Sequence, residues 1–223
     1  MFPLRDVNPR RGFPVVVVLI IICNTIVFFQ YFDLPEKKVE LIFQFFGIVP
    51  AHIRLITLIT HQFLHGGLLH LISNMWALWI FGDNIEDRLG HLRFLFFYIF
   101  CGVFAGTIHT ITQPGSEIPC VGASGAISGI LGAYLILYPG ARILCVIPII
   151  IYPYFVEMPA LLFGGIWFIL QLLNGLVVMA NSEDVAGVAW WAHIGGFFTG
   201  IFLLPFFYKQ EPPHESPPDI IDT

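Results

Sequence analysis

Four side chains carry most of the chemical capacity of this sequence: Ser124, His193, His70 and Asn74. A serine hydroxyl is a poor nucleophile at neutral pH and needs a base to take its proton. An imidazole within hydrogen-bond reach supplies that base. His70 and Asn74 are four residues apart, so on a helix they share one face, and both can donate hydrogen bonds. Donors aimed at a developing oxyanion are the third requirement of acyl transfer, and losing one commonly costs about 10²- to 10³-fold in rate. Each residue also has a plainer reading by itself. Ser124 among Gly122, Ala123 and Gly125 can be a packing residue, and His193 beside Trp190, Trp191 and Phe197 can be an interfacial histidine. The pair His70 and Asn74 can be a polar link between helices. Acyl-transfer chemistry follows only if the fold gathers all four.

Composition identifies the elements that must do the gathering. The 223 residues are 57% hydrophobic and 11% charged, against about 25% charged in average globular chains, and the mean hydropathy is +0.82. A soluble domain of this size has no core large enough to hide so much apolar surface. The expected fold class is therefore all-α, a polytopic membrane protein with a bundle of six transmembrane helices. Six apolar runs, 14–32, 63–81, 94–111, 120–138, 160–180 and 189–208, have the length of about 20 residues that a bilayer demands. None contains Asp, Glu, Lys or Arg. Turn formers and charges separate them at Gly82-Asp83-Asn84, Gln113-Pro114-Gly115-Ser116 and Asn181-Ser182-Glu183-Asp184. The run 143–155 is apolar but short and interrupted by Pro148 and Pro153. It reads as an interfacial or hairpin-like connection. A seventh span there would put His193 on the opposite side from Ser124.

With six crossings, the second, fourth and sixth runs point the same way. Ser124 and His193 each follow the start of their run by four residues, a matching depth of roughly 6 Å, with His70 and Asn74 a turn or two away. Small residues spaced by four, Gly125 and Gly129 (continued by Gly132) on the fourth run and Ala192, Gly196 and Gly200 on the sixth, allow those two helices to approach closely. The cations Arg5, Arg10, Arg11, Arg88, Arg93, Arg142 and Lys209 fall on one side, and Lys37, Lys38 and Arg54 on the other. That bias puts both termini in the cytoplasm and the four polar residues in the outer half of the bilayer. The expected organisation is an N-terminal cytoplasmic segment 1–13, a membrane unit 14–208, and a disordered tail 209–223 rich in Pro and acid. The run 14–32 lacks a small-residue cleavage site and reads as a retained first span.

Other classes fit poorly. Lys+Arg of 10 against Asp+Glu of 15 disfavours a nucleic-acid partner. Cys23, Cys101, Cys120 and Cys145 are scattered and read as small core residues. No His-Glu-x-x-His occurs, no carboxylate or thiolate accompanies His61, His65 and His70 at ligand spacing, and neither a metal nor a cofactor is expected. A small-solute transporter would favour intramembrane charge or an internal repeat, and the sequence has neither.

The motifs together resemble the rhomboid intramembrane serine proteases over nearly the whole chain, from Pro3-Leu4-Arg5-Asp6 to Gly200. Gly122-Ala123-Ser124-Gly125 is similar to the family's Gly-x-Ser-Gly. Ala192-His193 with Gly196 and Gly200 is similar to its Ala-His-x-x-Gly-x-x-x-Gly. The segment 63–74, ending in His70-Leu71-Ile72-Ser73-Asn74, looks like its second helix, and Glu86-Asp87-Arg88-Leu89-Gly90 like the acidic and glycine motif after it. The resemblance implies Ser124 as nucleophile and His193 as general base, a dyad with no acidic third member. It implies His70, Asn74 and the Ser124 backbone N–H as oxyanion donors, and a structural role for Glu86 in tying the connection after the second span to neighbouring backbone. Implied substrates are single-span membrane proteins cut near the outer face; a catalytically inactive, client-binding relative is the alternative. The bare six-span form resembles bacterial members, which implies the plasma membrane. Two departures stand out. Ile56 and Thr57 occupy the positions of a Trp-Arg pair, and Ser128 stands where some members stack an aromatic ring on the histidine. Trp190 and Trp191 are the neighbours in sequence that could orient His193.

Overall fold

A computed structural model describes residues 2–8, 12–149, 152–181 and 189–208. The expected cytoplasmic charges Arg10, Arg11 and Lys209, the turn residues Ser182 to Asp184, and the tail 209–223 lie outside the described residues. In chain order the elements are β1 (Phe2–Asp6), α1 (Val15–Phe29), α2 (Glu36–Phe46), α3 (Thr57–Thr60), α4 (Leu68–Leu89), α5 (His91–Thr112), α6 (Ser124–Leu137), β2 (Arg142–Ile149), β3 (Tyr152–Pro159), α7 (Ala160–Asn181) and α8 (Trp190–Phe207). Helices dominate. Of these, α5, α7 and α8 are long and apolar enough to cross a membrane by length and composition, while α1 and α6 are apolar but shorter.

The all-α expectation needs correction. Three strands form an antiparallel sheet in the order β1-β2-β3. β2 and β3 are a hairpin in which Arg142 opposes Pro159 and Ile149 opposes Tyr152, so the 143–155 run returns the chain to the side it left. Its β-branched and aromatic residues suit a pleated strand, and its prolines exclude a helix. β1 adds to the hairpin with Phe2 opposite Val146 and Asp6 opposite Ile143. Residues 2–6 of the expected N-terminal segment are therefore built into the membrane unit. Asp6 accepts hydrogen bonds from Tyr134 on α6 (2.8 Å) and Asn84 on α4 (2.7 Å), and Trp76 donates to the Pro3 carbonyl at 2.7 Å. Burial pushes the Asp6 carboxyl above its ordinary value of 3.8, against the opposing effect of those donors.

Helix boundaries also differ from expectation: α4 starts at Leu68 rather than 63, and larger consequences follow from its end and from the start of α6. Gly82-Asp83-Asn84 is not a turn; α4 runs through it to Leu89. The acids there serve the neighbouring helix. The buried Glu86 carboxylate accepts the Val16 and Val17 N–H groups at 2.9 and 2.8 Å, two of the donors that the first turn of α1 leaves without helical partners. Such a cap contributes about 1–2 kcal/mol. Glu86 also bonds the His91 ring. At the other boundary, α6 begins at Ser124 rather than 120. Cys120 exchanges backbone hydrogen bonds with Ile48, and the Gly122 N–H goes to the His61 carbonyl, so this backbone is committed before a helix can form.

Central α6 is buried at every residue from Gly125 to Leu135. α4, α6 and α8 run parallel. Arg88 at the end of α4 bonds Tyr138 just beyond the end of α6 at 3.0 Å, and Gly125 and Gly129 of α6 face Gly196 and Gly200 of α8 in step. A Cβ on Gly196 or Gly200 would collide with the carbonyl oxygen of Gly125 or Gly129 respectively, so backbone lies directly on backbone. The fourteen residues of α6 span only about 21 Å, against roughly 30 Å of hydrocarbon. At least one of its ends therefore lies within the hydrocarbon of a bilayer that the bundle spans.

Candidate active site

Ser124 opens α6 after a sharp turn at Gly122, whose φ of 131° lies in the region that disfavours any residue with a Cβ. A Cβ on Gly122 would also come within 2.9 Å of the His70 ring and 3.6 Å of Ser124 Oγ. The missing side chain thus lets His70 close on the start of α6. Ser124 Oγ lies 2.7 Å from His193 Nε2, within the range of a good O–H to nitrogen hydrogen bond. His193 stands on the first turn of α8, brought to Ser124 by the glycine contact one turn below.

The other nitrogen of His193 is also engaged. Its Nδ1 is 2.7 Å from Gln171 Oε1 on α7, and Gln171 is buried. Sequence reasoning gave this residue no role, the only signal being that it and Asn174 are the two amides of an apolar run. Aromatic rings frame the imidazole: Trp167 lies tilted against it at 6.1 Å between centroids and Trp190 edge-on at 6.3 Å. Trp167 was not foreseen. Ser128 turns its hydroxyl away to the Ser124 carbonyl at 2.6 Å. At the site of the missing Trp-Arg pair, Thr57 bonds the Arg54 carbonyl, and Arg54 stacks on Phe45 of α2 at 4.1 Å.

His70 and Asn74 lie one turn apart on α4, as expected, with His70 beside Gly122. Asn74 Nδ2 is buried and has no hydrogen-bond partner among the described residues. It shares with Ser124 and His193 the lining of a cavity of about 370 Å³ between α4, α6, α7 and α8. The far end of that cavity is apolar, formed by Trp76, Phe81, Phe163 and Ile166, and is reached by Phe2 and Pro3 of β1. His70 lines a second cavity of about 140 Å³ with Gly66, His109, Gln113, Ser116 and Trp190. Ser73 and the Gly66 N–H hold the His70 segment, through the His70 carbonyl (3.0 Å) and Nδ1 (3.3 Å). Ser124, His193, His70 and Asn74 therefore stand between a more polar cavity and an apolar slot. Among the described residues no group of three or more His, Cys, Asp or Glu could hold a metal ion.

This arrangement is a serine–histidine pair inside a bundle of apolar helices. The Rhomboid domain family model matches residues 52–210. The chain is 34% identical over 163 residues to RHOMBOID-like protein 6, mitochondrial, of Arabidopsis thaliana, covering 70% of this chain and 44% of that one. RHOMBOID-like protein 5 of the same plant is 32% identical over 146 residues, covering 66% and 42%. YdcA of Bacillus subtilis (strain 168) is 33% identical over 124 residues, covering 54% and 62%. The chain belongs to the rhomboid family and is an integral membrane protein of mostly helical fold. It spans about half the length of the curated plant and animal relatives it matches.

Proposed function

We propose that this rhomboid-family chain is an intramembrane serine endopeptidase acting on transmembrane proteins. The observation that carries the reading is the 2.7 Å contact between Ser124 Oγ and His193 Nε2. In the proposed reaction His193 Nε2 takes the hydroxyl proton as Ser124 Oγ adds to the scissile carbonyl. The resulting oxyanion is met by the Ser124 N–H, the free Asn74 Nδ2 and the His70 ring. His193 then returns the proton to the leaving amine, and water hydrolyses the acyl-enzyme by the same route in reverse.

The bundle crosses the membrane six times in this reading, through α1, α4, α5, α6, α7 and α8, with the β2-β3 hairpin turning back on one side. The site opens to the outer face through the polar cavity at His109 and Ser116, and both termini are cytoplasmic. A transmembrane segment of the substrate would lie against the apolar slot between α4 and α7, with the bond to be cut near its outer end. We place the protein in a bacterial plasma membrane, a reading that the Bacillus relative supports. The test is fluorophosphonate labelling of membranes together with cleavage of a model single-span substrate. Wild type is expected to label and cleave, and Ser124→Ala to do neither. Unchanged cleavage by Ser124→Ala would end the reading.

A further inference from the structure

The working pair leaves one question of proton placement: Nε2 of His193 can accept the Ser124 proton only if the ring's own proton sits on Nδ1. A proton on Nδ1 needs an acceptor, because an unpaired donor buried among apolar helices is costly. Gln171 Oε1 is that acceptor at 2.7 Å. The orientation of the amide is itself fixed, since its other end, Nε2, reaches back one turn to the Trp167 carbonyl at 3.4 Å. The Trp167 ring then lies against the imidazole. A chain of fixed groups thus runs from the α7 backbone through Gln171 and His193 to Ser124.

We infer that Gln171 is a positioning residue that holds His193 in the tautomer and orientation able to deprotonate Ser124, so that the site works as a serine–histidine–glutamine relay assembled from α6, α8 and α7. The inference rests on the protease reading above. A neutral amide differs from an acidic third member in one respect: it orients the ring without adding charge to stabilise an imidazolium. The titratable groups acting on His193 are His70 from α4 and His109 from α5. Packed against it, α6 contributes the Ser124 hydroxyl and α7 the uncharged Gln171.

The test uses the full-length protein reconstituted with a single-span substrate, with kcat, KM and the pH profile measured separately. Gln171→Met keeps the volume and removes the acceptor. Its kcat should fall about 10- to 100-fold, the rate equivalent of one buried hydrogen bond, with KM within twofold and Tm unchanged. Gln171→Glu offers an acceptor at the same reach and adds a negative charge beside the ring. It should recover most of the lost kcat, with the acidic limb of the profile moved to higher pH because the carboxylate favours the imidazolium. Wild-type kcat and profile in Gln171→Met, beside an inactive Ser124→Ala, would overturn the inference and leave the protease reading standing. A Gln171→Met variant losing Tm and rate together, with no recovery in Gln171→Glu, would make Gln171 a packing residue and overturn it equally. Activity surviving in Ser124→Ala would remove both readings at once.

Discussion

α6 and α7 approach the same imidazole in opposite styles. α6 is buried along nearly its whole length and meets α8 through glycine, backbone against backbone. α7 leaves Leu162, Ile169, Leu173 and Leu176 exposed on its outer side and meets α8 through larger groups. Phe168 packs on Phe197 at 4.9 Å, and Gly175 accommodates Trp190 and Trp191. Ser124, the proposed nucleophile, stands on the helix held by backbone contact. Gln171, proposed to orient His193, stands on the helix held by side chains, beside the apolar slot. Reactive geometry and adjustable geometry are thus placed on different elements. A close-packed interface has few alternative arrangements, whereas one built from side chains can repack.

The contrast can be broken most severely at its centre. Ser124→Ala and His193→Ala should each reduce substrate turnover by about 10⁴-fold or more, and His193→Ala should also lose fluorophosphonate labelling because the serine is no longer activated; quantitative labelling in that variant would contradict the pairing. Next in size, Gly196→Leu and Gly129→Leu push a side chain into backbone or into Cys101 and should destabilise by more than about 3 kcal/mol, read as a large fall in Tm and loss of rate. Glu86→Ala should cost about 2 kcal/mol, since two first-turn donors of α1 lose their acceptor; a Tm equal to wild type would show that water replaces the carboxylate fully.

Smaller effects should mark β1 and the exposed face of α7. The raised pKa of Asp6 means that its ionised form is the less favoured one in the fold. Its contribution is fully present below the ordinary value of 3.8 and is lost as pH rises through the folded value. Asp6→Asn should remove that dependence, so thermal melts of variant and wild type should diverge with rising pH across this window. Parallel curves would mean Asp6 is not coupled to folding. Smallest of all, Ile169→Ala or Leu173→Ala on the exposed face should change Tm by no more than the equivalent of about 0.5 kcal/mol.

The residues legible in the sequence were those with local signatures. Ser124 and His193 sit in short glycine-marked motifs, and the glycines that bring them together repeat every four residues. The hairpin was half legible, because Pro148 and Pro153 forbid a crossing but do not by themselves name a strand partner. What escaped depends on distant parts of the chain. The late start of α6 follows from backbone bonds to Ile48 and His61. The extension of α4 follows from Glu86 serving α1, so that charges resembling a loop are in fact helical. Gln171 carries no motif; its contact with His193 emerges only once α7 stands beside α8.

The pairing of β1 with β2 has a consequence for how the molecule is made. Residues 2–6 leave the ribosome before α1 through α6, yet their partners, residues 143–146, come after those helices. A contact between such distant segments forms late because the intervening chain must first be ordered, and synthesis proceeds from the N-terminus at about 5–20 residues per second. The first strand must therefore wait several seconds, unpaired, while the helices between it and its partner are produced. Its docking onto Trp76, Asn84 and Tyr134 then joins β1 to the hairpin that leads into α7. A segment made before the helices closes the structure after them.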